Sequence, residues 1–134
     1  MVIDSFKGTF LSNMYGNGKA EIVYQACKAS NFKDRQAILN SKSGYEAKKL
    51  AKTIQIRNDW KEIRLNVMET VVRIKFRNPE LLKRLKETTP HELIEGNCWH
   101  DNYWGNCTCQ KCKNIEGENN LGKILMKIRE EEVI

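Results

Sequence analysis

The sequence predicts a mainly helical α+β fold contained in one domain with a small sheet, and three observations carry that expectation. Apolar residues recur at three- and four-residue steps through Trp60–Ile74 and again through Leu121–Ile128, the period of helices that bury one face. Helix-starting residues stand ahead of several apolar stripes: Ser43 with Glu46, Asp59 with Glu62, and Asn78 before Pro79. Strand-like runs are few and short. A chain of 134 residues, 40% hydrophobic and 30% charged, suits one globular domain spanning 1–134 and argues against wholesale disorder.

In chain order, Phe6–Leu11 is expected as a short strand, and the Asn- and Gly-rich stretch Asn13–Gly18 as a loop. Ala20–Phe32 contains good helix formers and no breaker. Read as a helix, it places Glu21, Gln25 and Lys28 on one stripe with Tyr24 beside it. Ser43 and Glu46 form a capping box for a helix carrying Tyr45, Ala47, Leu50 and Ala51. Asp59 is expected to cap the longest helix, which runs to about Phe76. Its inner face is Trp60, Ile63, Val67, Val71 and Ile74, widened by Met68 and Val72. Asn78 then caps a helix that starts with Pro79 and turns Leu81, Leu82 and Leu85 inward. Beyond Pro90, His91–Glu95 is a candidate strand and Gly96–Glu118 is irregular. Asn119–Glu131 closes the chain as a helix with Leu121, Ile124, Leu125 and Ile128 inward.

Composition narrows the function classes. No apolar run approaches the roughly 20 residues needed to span a bilayer, and the start, MVIDSFKGTF, lacks a basic stretch followed by an apolar one. A soluble cytoplasmic protein without a membrane partner is the expectation. Residues 47–89 carry twelve Lys and Arg against five acids, a basic belt suited to phosphate-bearing partners, with a solvated helical surface as the bland alternative. Four of the five cysteines (Cys98, Cys107, Cys109, Cys112) fall in one short stretch, a pattern of reduced thiols or a metal site rather than a disulfide framework.

Two groups of polar residues ask for a function. The segment from about 98 to 118, a Cys-rich loop insertion, holds Trp99, His100, Asp101, Tyr103 and Trp104, and loops of this kind often wall a ligand site. Plugging of the loop onto the core is the bland alternative. The second group is the Glu21/Gln25/Lys28 stripe. Seven residues of helix rise about 10.5 Å, too far for a direct Glu21–Lys28 ion pair but compatible with lining one groove, with an ordinary exposed helix face as the bland alternative. Within Cys107-Thr108-Cys109-Gln110-Lys111-Cys112, three thiolates can take three corners of a tetrahedral structural Zn²⁺ site, with His100 or Cys98 as the fourth. Free thiols packed under the loop are the alternative there.

The landmarks, taken together and in order, resemble the NADAR family of YbiA-like N-glycosidases along most of the chain. They are Phe10-Leu11-Ser12-Asn13-Met14-Tyr15, then Glu21-Ile22-Val23-Tyr24-Gln25-Ala26-Cys27-Lys28, then Asp59, Trp60, Arg64 and Met68 continuing into Lys75-Phe76. Leu93-Ile94-Glu95, Asp101 with Trp104 and Gly105, and Gly117, Asn119, Leu121, Gly122, Leu125, Met126 and Arg129 complete the pattern.

The resemblance implies cleavage of a ribosyl–base N-glycosidic bond in a phosphorylated substrate. The leading reading removes ADP-ribose from guanine in nucleic acid; riboflavin-pathway intermediates, another phosphoribosyl small molecule or non-catalytic nucleotide binding are the alternatives. It further implies Lys28 as a Schiff-base amine, Glu21 as its helping carboxylate, and Asp101 as a group that orients ribose hydroxyls or shuttles a proton. Asn13, Tyr15, Gln25, Trp60, Arg64, Trp104, Gly105 and Asn119 become candidate substrate contacts, Asn119 through a helix N-terminus. No cofactor is implied for the chemistry. Two departures stand out: Ile22 occupies the place of the family's His, and the stretch between Tyr15 and Glu21 is short.

Overall fold

A computed structural model describes residues 1–131. Its elements run β1 (Val2–Ile3), α1 (Lys19–Ala26), α2 (Phe32–Leu39), α3 (Gly44–Ala51), α4 (Trp60–Lys75), α5 (Pro79–Lys86), β2 (Glu92–Leu93), β3 (Gly96–Asn97), β4 (Asn106–Cys107), a 3₁₀ turn (Gln110–Cys112) and α6 (Asn120–Glu131). The chain divides into two compact units: Gly8–Lys75, and the first seven residues together with the chain from Phe76 onward. The architecture is mixed α+β and mainly helical, as the periodicity predicts. Among the described residues, no helix is long and apolar enough to cross a membrane.

The Gly8–Lys75 unit is a helical cluster. Ile22 and Ala26 of α1 meet Ile38 of α2 and Ala47 and Ala51 of α3, with Leu50 and Ile54 packed against them. Small alanines let the helices approach, and the buried isoleucines each contribute on the order of 1.5–3 kcal/mol. The approach is close at Gly44, where a Cβ would stand 2.9 Å from Glu21 Cβ and 2.5 Å from Met14 Sδ. Ser43 caps α3 as expected, its Oγ accepting from Glu46 N at 3.1 Å; the Glu46 carboxylate reaches back to Lys42 N at 3.1 Å.

The other unit holds two short parallel pairs. β1 pairs with β2 (Val2 opposite Glu92, Ile3 opposite Leu93), and β3 pairs with β4 (Gly96 opposite Asn106, Asn97 opposite Cys107). α6 packs on β2 and α5 and buries Leu121, Ile124, Leu125 and Ile128. Asn78 caps α5, accepting from Glu80 N at 3.0 Å and Leu81 N at 3.2 Å. Arg129 is buried, donating to Thr88 Oγ1 at 3.0 Å and to His91 O at 2.7 Å.

Four expectations need correction. Phe6–Leu11 is not a strand: Gly8 adopts φ 78°, and a turn forms in which Ser12 N donates to Thr9 O at 3.1 Å. The helix expected over Ala20–Phe32 ends at Ala26, and a separate helix, α2, starts at Phe32 with Asn31 as its cap. Pairing of the intervening backbone with residues 55–57 outcompetes helix propensity there. The Asp59 carboxylate does not cap α4 but grips Arg57 at 2.6 and 3.0 Å, so Glu62 N bonds the Asp59 carbonyl. Ile74, assigned to the inner face, is 52% exposed, because the buried stripe of α4 is narrower near its end than the apolar pattern.

Candidate functional site

Lys28 sits just beyond α1, in an antiparallel bridge between its own strand-like segment and the approach to α4. Ala29 pairs with Ile56, Arg57 N donates to Lys28 O at 2.9 Å, and Ser30 N donates to Gln55 O at 3.1 Å. Two backbone bonds therefore fix the lysine next to the first turn of α4. Its Nζ lies 5.6 Å from the Tyr24 ring centroid and 5.9 Å from that of Trp60, with the two rings tilted at 56° and 5.2 Å apart. Trp60 is buried and forms a wall beside the amine.

Burial lowers the Lys28 pKa below the ordinary lysine range. The Glu21 carboxylate opposes that fall, while the positive charges of Lys48, Arg64 and Lys52 add to it. A desolvated lysine among other cations is a recognised way to obtain a neutral, nucleophilic amine near physiological pH. Glu21 is itself buried, and Gln25 Nε2 donates to its Oε1 at 2.8 Å. Gln25 Oε1 is buried and accepts no hydrogen bond from the described residues, a polar atom at the Glu21 carboxylate with capacity left for a ligand.

The sequence stripe thus survives in altered form: Glu21 and Gln25 share a helix face, and Lys28 arrives by a turn. Asn13 supports the arrangement from below, its Nδ2 donating to Met68 Sδ at 3.2 Å and its carbonyl accepting from Glu21 N at 3.3 Å. Tyr15 is exposed, with Lys75 Nζ 5.8 Å from its ring centroid. Lys75 also donates to Phe10 O at 2.6 Å and Ser12 O at 2.9 Å, and burial lowers its pKa to about 8. Sequence reasoning missed three contributors here: Lys48 and Lys52, one turn apart and part of the basic belt, and Gly44, whose missing side chain admits Glu21. An open polar hollow of about 360 Å³ is lined by both bridge residues, Ala29 and Ile56, and by Ser30, Arg35, Arg57 and Asp59 among others; Lys28 is not in its wall.

Ile22 belongs to the α1–α2–α3 core.

The second unit positions the remaining candidates. Asp101 Oδ1 accepts from Tyr103 N at 3.1 Å and Trp104 N at 2.8 Å, forming a tight turn. Asn97 cradles that turn, donating to Asp101 O at 2.8 Å and accepting from Asp101 N at 3.1 Å. The Trp104 ring meets Tyr103 edge-on, with centroids 4.7 Å apart. Gly105 lies where a Cβ would strike the Glu95 backbone. The start of α6 is not an open anion site, contrary to expectation. Asn119 N, Asn120 N and Leu121 N donate to the carbonyls of Gly105, Tyr103 and Trp104 at 3.2, 3.1 and 3.0 Å. The loop itself uses the amides that a phosphate would need. The Asn119 side chain is engaged too, accepting from Glu95 N at 2.9 Å and donating to Leu93 O at 2.8 Å.

Of the cysteines, Cys107, Cys109 and Cys112 gather with His100, their ligand atoms all within 4.8 Å of one another. Cys98, the alternative fourth member, is exposed and stands outside this group. Burial pushes the Cys112 thiol up; at Cys107 it is outweighed by the Cys109 and His100 N–H groups aimed at the sulfur, and the thiol falls to about 7. Cys27 is half-buried beside Lys28, and burial raises its thiol.

A mainly helical α+β fold with a desolvated lysine beside a buried Glu–Gln pair defines the class. Residues 9–131 match the model of the NADAR domain, and the chain belongs to that family. It is similar to the N-glycosidase YbiA of Shigella boydii, 31% identical over 115 residues, which cover 84% of this chain and 68% of that protein. It is 35% identical over 115 residues to a riboflavin biosynthesis protein of Vibrio vulnificus, covering 84% of this chain but 30% of that one. An N-glycosidase of Acanthamoeba polyphaga mimivirus is 40% identical over 79 residues, covering 54% of this chain and 46% of its own. The chain thus spans well under two thirds of the latter two relatives. The NMR structure of Escherichia coli YbiA superposes with a TM-score of 0.76 at 28% identity, covering 98% of this chain and 83% of that one.

Proposed function

We propose that this protein is an N-glycosidase that cleaves a ribosyl–base bond in a phosphorylated substrate, with Lys28 as the nucleophile. The observation that carries the reading is the Lys28 environment: an amine whose pKa burial lowers, beside a buried carboxylate and among Lys48, Lys52 and Arg64. Relatives that bear the name N-glycosidase support it.

In the proposed reaction, neutral Lys28 Nζ attacks C1′ of the ribose. The C1′–N bond breaks and its electron pair leaves with the base, which takes up a proton. Glu21 stabilises the positive charge that develops on the sugar and then accepts a proton from the attached amine. Opening of the C1′–O4′ bond, with protonation of O4′, gives an iminium between Nζ and C1′; water adds to it and expels Lys28. Lys48, Lys52 and Arg64 would meet the substrate's phosphates.

The leading substrate is guanine in nucleic acid that carries ADP-ribose, a choice that rests on the charge balance of residues 47–89, twelve Lys and Arg against five acids, which favours a partner with several phosphates. The test is mass spectrometry of a single-stranded oligonucleotide bearing ADP-ribosyl-guanine. The wild-type protein is expected to release ADP-ribose, and Lys28→Ala to leave the adduct intact. Borohydride should trap the sugar on the wild-type protein only. Release by both proteins would overturn the Schiff-base assignment, and release by neither would overturn this substrate. The Vibrio relative, named for riboflavin biosynthesis, favours a second reading, a phosphorylated riboflavin-pathway intermediate. Rising salt separates the two: activity on nucleic acid should fall steeply, and activity on a small metabolite only weakly.

A further inference from the structure

Between β3 and the end of the 3₁₀ turn the chain is regular only in short pieces, yet His100 and three cysteines gather around one point. His100 Nδ1 lies 3.3 Å from Cys109 Sγ, 3.4 Å from Cys112 Sγ and 4.0 Å from Cys107 Sγ. Zinc bonds of about 2.3 Å to sulfur and about 2.05 Å to nitrogen, at tetrahedral angles, separate N and S by about 3.6 Å. Two of the observed distances fall slightly below that value and one slightly above it. A polynuclear iron–sulfur cluster must enclose several iron atoms and needs its sulfurs farther apart, so the spacing fits a single ion.

The surroundings fit as well. His100 N donates to Cys107 Sγ at 3.3 Å and Cys109 N at 3.5 Å, the N–H···S bonds that orient a thiolate ligand. The backbone of His100 takes φ 69°, an uncommon conformation for a side chain with Cβ, which brings its ring to the three sulfurs. Cys107 and Cys112 are buried, Cys109 is partly buried and His100 is exposed, so the centre lies at the surface with two of its sulfurs anchored in the core.

We propose that His100 Nδ1 and the sulfurs of Cys107, Cys109 and Cys112 bind one Zn²⁺ as a closed, structural centre. Four protein ligands leave no position for a substrate or a reactive water. The centre joins the residue before Asp101 to β4 and the 3₁₀ turn, and so holds the Asp101 turn in place. This inference stands independently of the glycosidase reading.

The test is metal analysis of the 134-residue chain purified under reducing conditions without added metal. One zinc per chain is expected in the wild type and in Cys98→Ser, and less than a tenth of that in Cys112→Ser. Because Cys112→Ser can fail to fold, the wild-type chain is also stripped of metal and titrated with Co²⁺. A stoichiometric, intense visible spectrum of tetrahedral cobalt with thiolate charge-transfer absorption is the expected result. Wild type without zinc and without cobalt uptake, a weak octahedral spectrum, or loss of zinc in Cys98→Ser would each overturn the proposal.

Discussion

Asn119→Ala separates a bracing residue from a ligand contact. Asn119 is buried, and its amide joins two backbone groups of the 93–95 segment to the start of α6: it accepts from Glu95 N at 2.9 Å and donates to Leu93 O at 2.8 Å. Truncation removes two hydrogen bonds worth about 1 kcal/mol each and leaves both backbone partners short of a bond. Asn119 also sits at φ 52°, where alanine costs about 1 kcal/mol more than asparagine. The expected loss is about 3–5 kcal/mol, a large part of a typical domain's stability, or roughly 10–20 °C in Tm. Urea denaturation followed by circular dichroism measures it. Asn119→Gly removes the same bonds without the backbone cost and should lose about 1 kcal/mol less. A loss below 1 kcal/mol, accompanied by weaker substrate binding, would refute the reasoning and restore Asn119 as a ligand contact.

The alkaline rise of kcat/KM should lie below the ordinary lysine range, because the attacking amine must be neutral and burial lowers Lys28. Glu21→Gln should move that rise to lower pH and Lys52→Met to higher pH, since the carboxylate favours the ammonium and the lysine opposes it; unmoved profiles would dissociate Lys28 from the rate. Lys28→Met should abolish turnover yet raise Tm at pH 7. A depressed lysine withholds its share of stability until the pH passes the ordinary lysine value, so the gain should vanish above that pH when thermal melts are run across the range. Gly44→Ala places a Cβ against Glu21 and Met14 and should cost about 1–3 kcal/mol in a chemical melt, with slower turnover as Glu21 shifts. Lys75→Ala, which frees the Phe10 and Ser12 carbonyls, should cost about 2 kcal/mol by the same measurement.

Local chemistry made much of the scaffold readable in the sequence. The Ser43 box, Asn78 with Pro79, and the Leu121–Ile128 stripe each specify their own helix, because a cap and a 3.6-residue apolar period act within one or two turns. Spacing put Glu21, Gln25 and Lys28 on one stripe, but only the family resemblance set that stripe above an ordinary exposed helix face; the cysteine cluster was legible through density along the chain. Tertiary structure alone decided the rest. Whether α1 continued past Ala26 depended on a partner strand some 27 residues away, whose backbone bonds to Lys28 and Ser30 ended the helix and set the lysine beside Trp60. Asn119 became a brace, and the α6 amides were spent on the 103–105 carbonyls, because a loop distant in sequence reached them first. The choice of His100 over Cys98 as the cluster's fourth member followed from a backbone turn at φ 69°. Propensity and periodicity describe what each segment favours alone; the burial that lowers Lys28 and the partners that satisfy a buried amide exist only once distant segments have met.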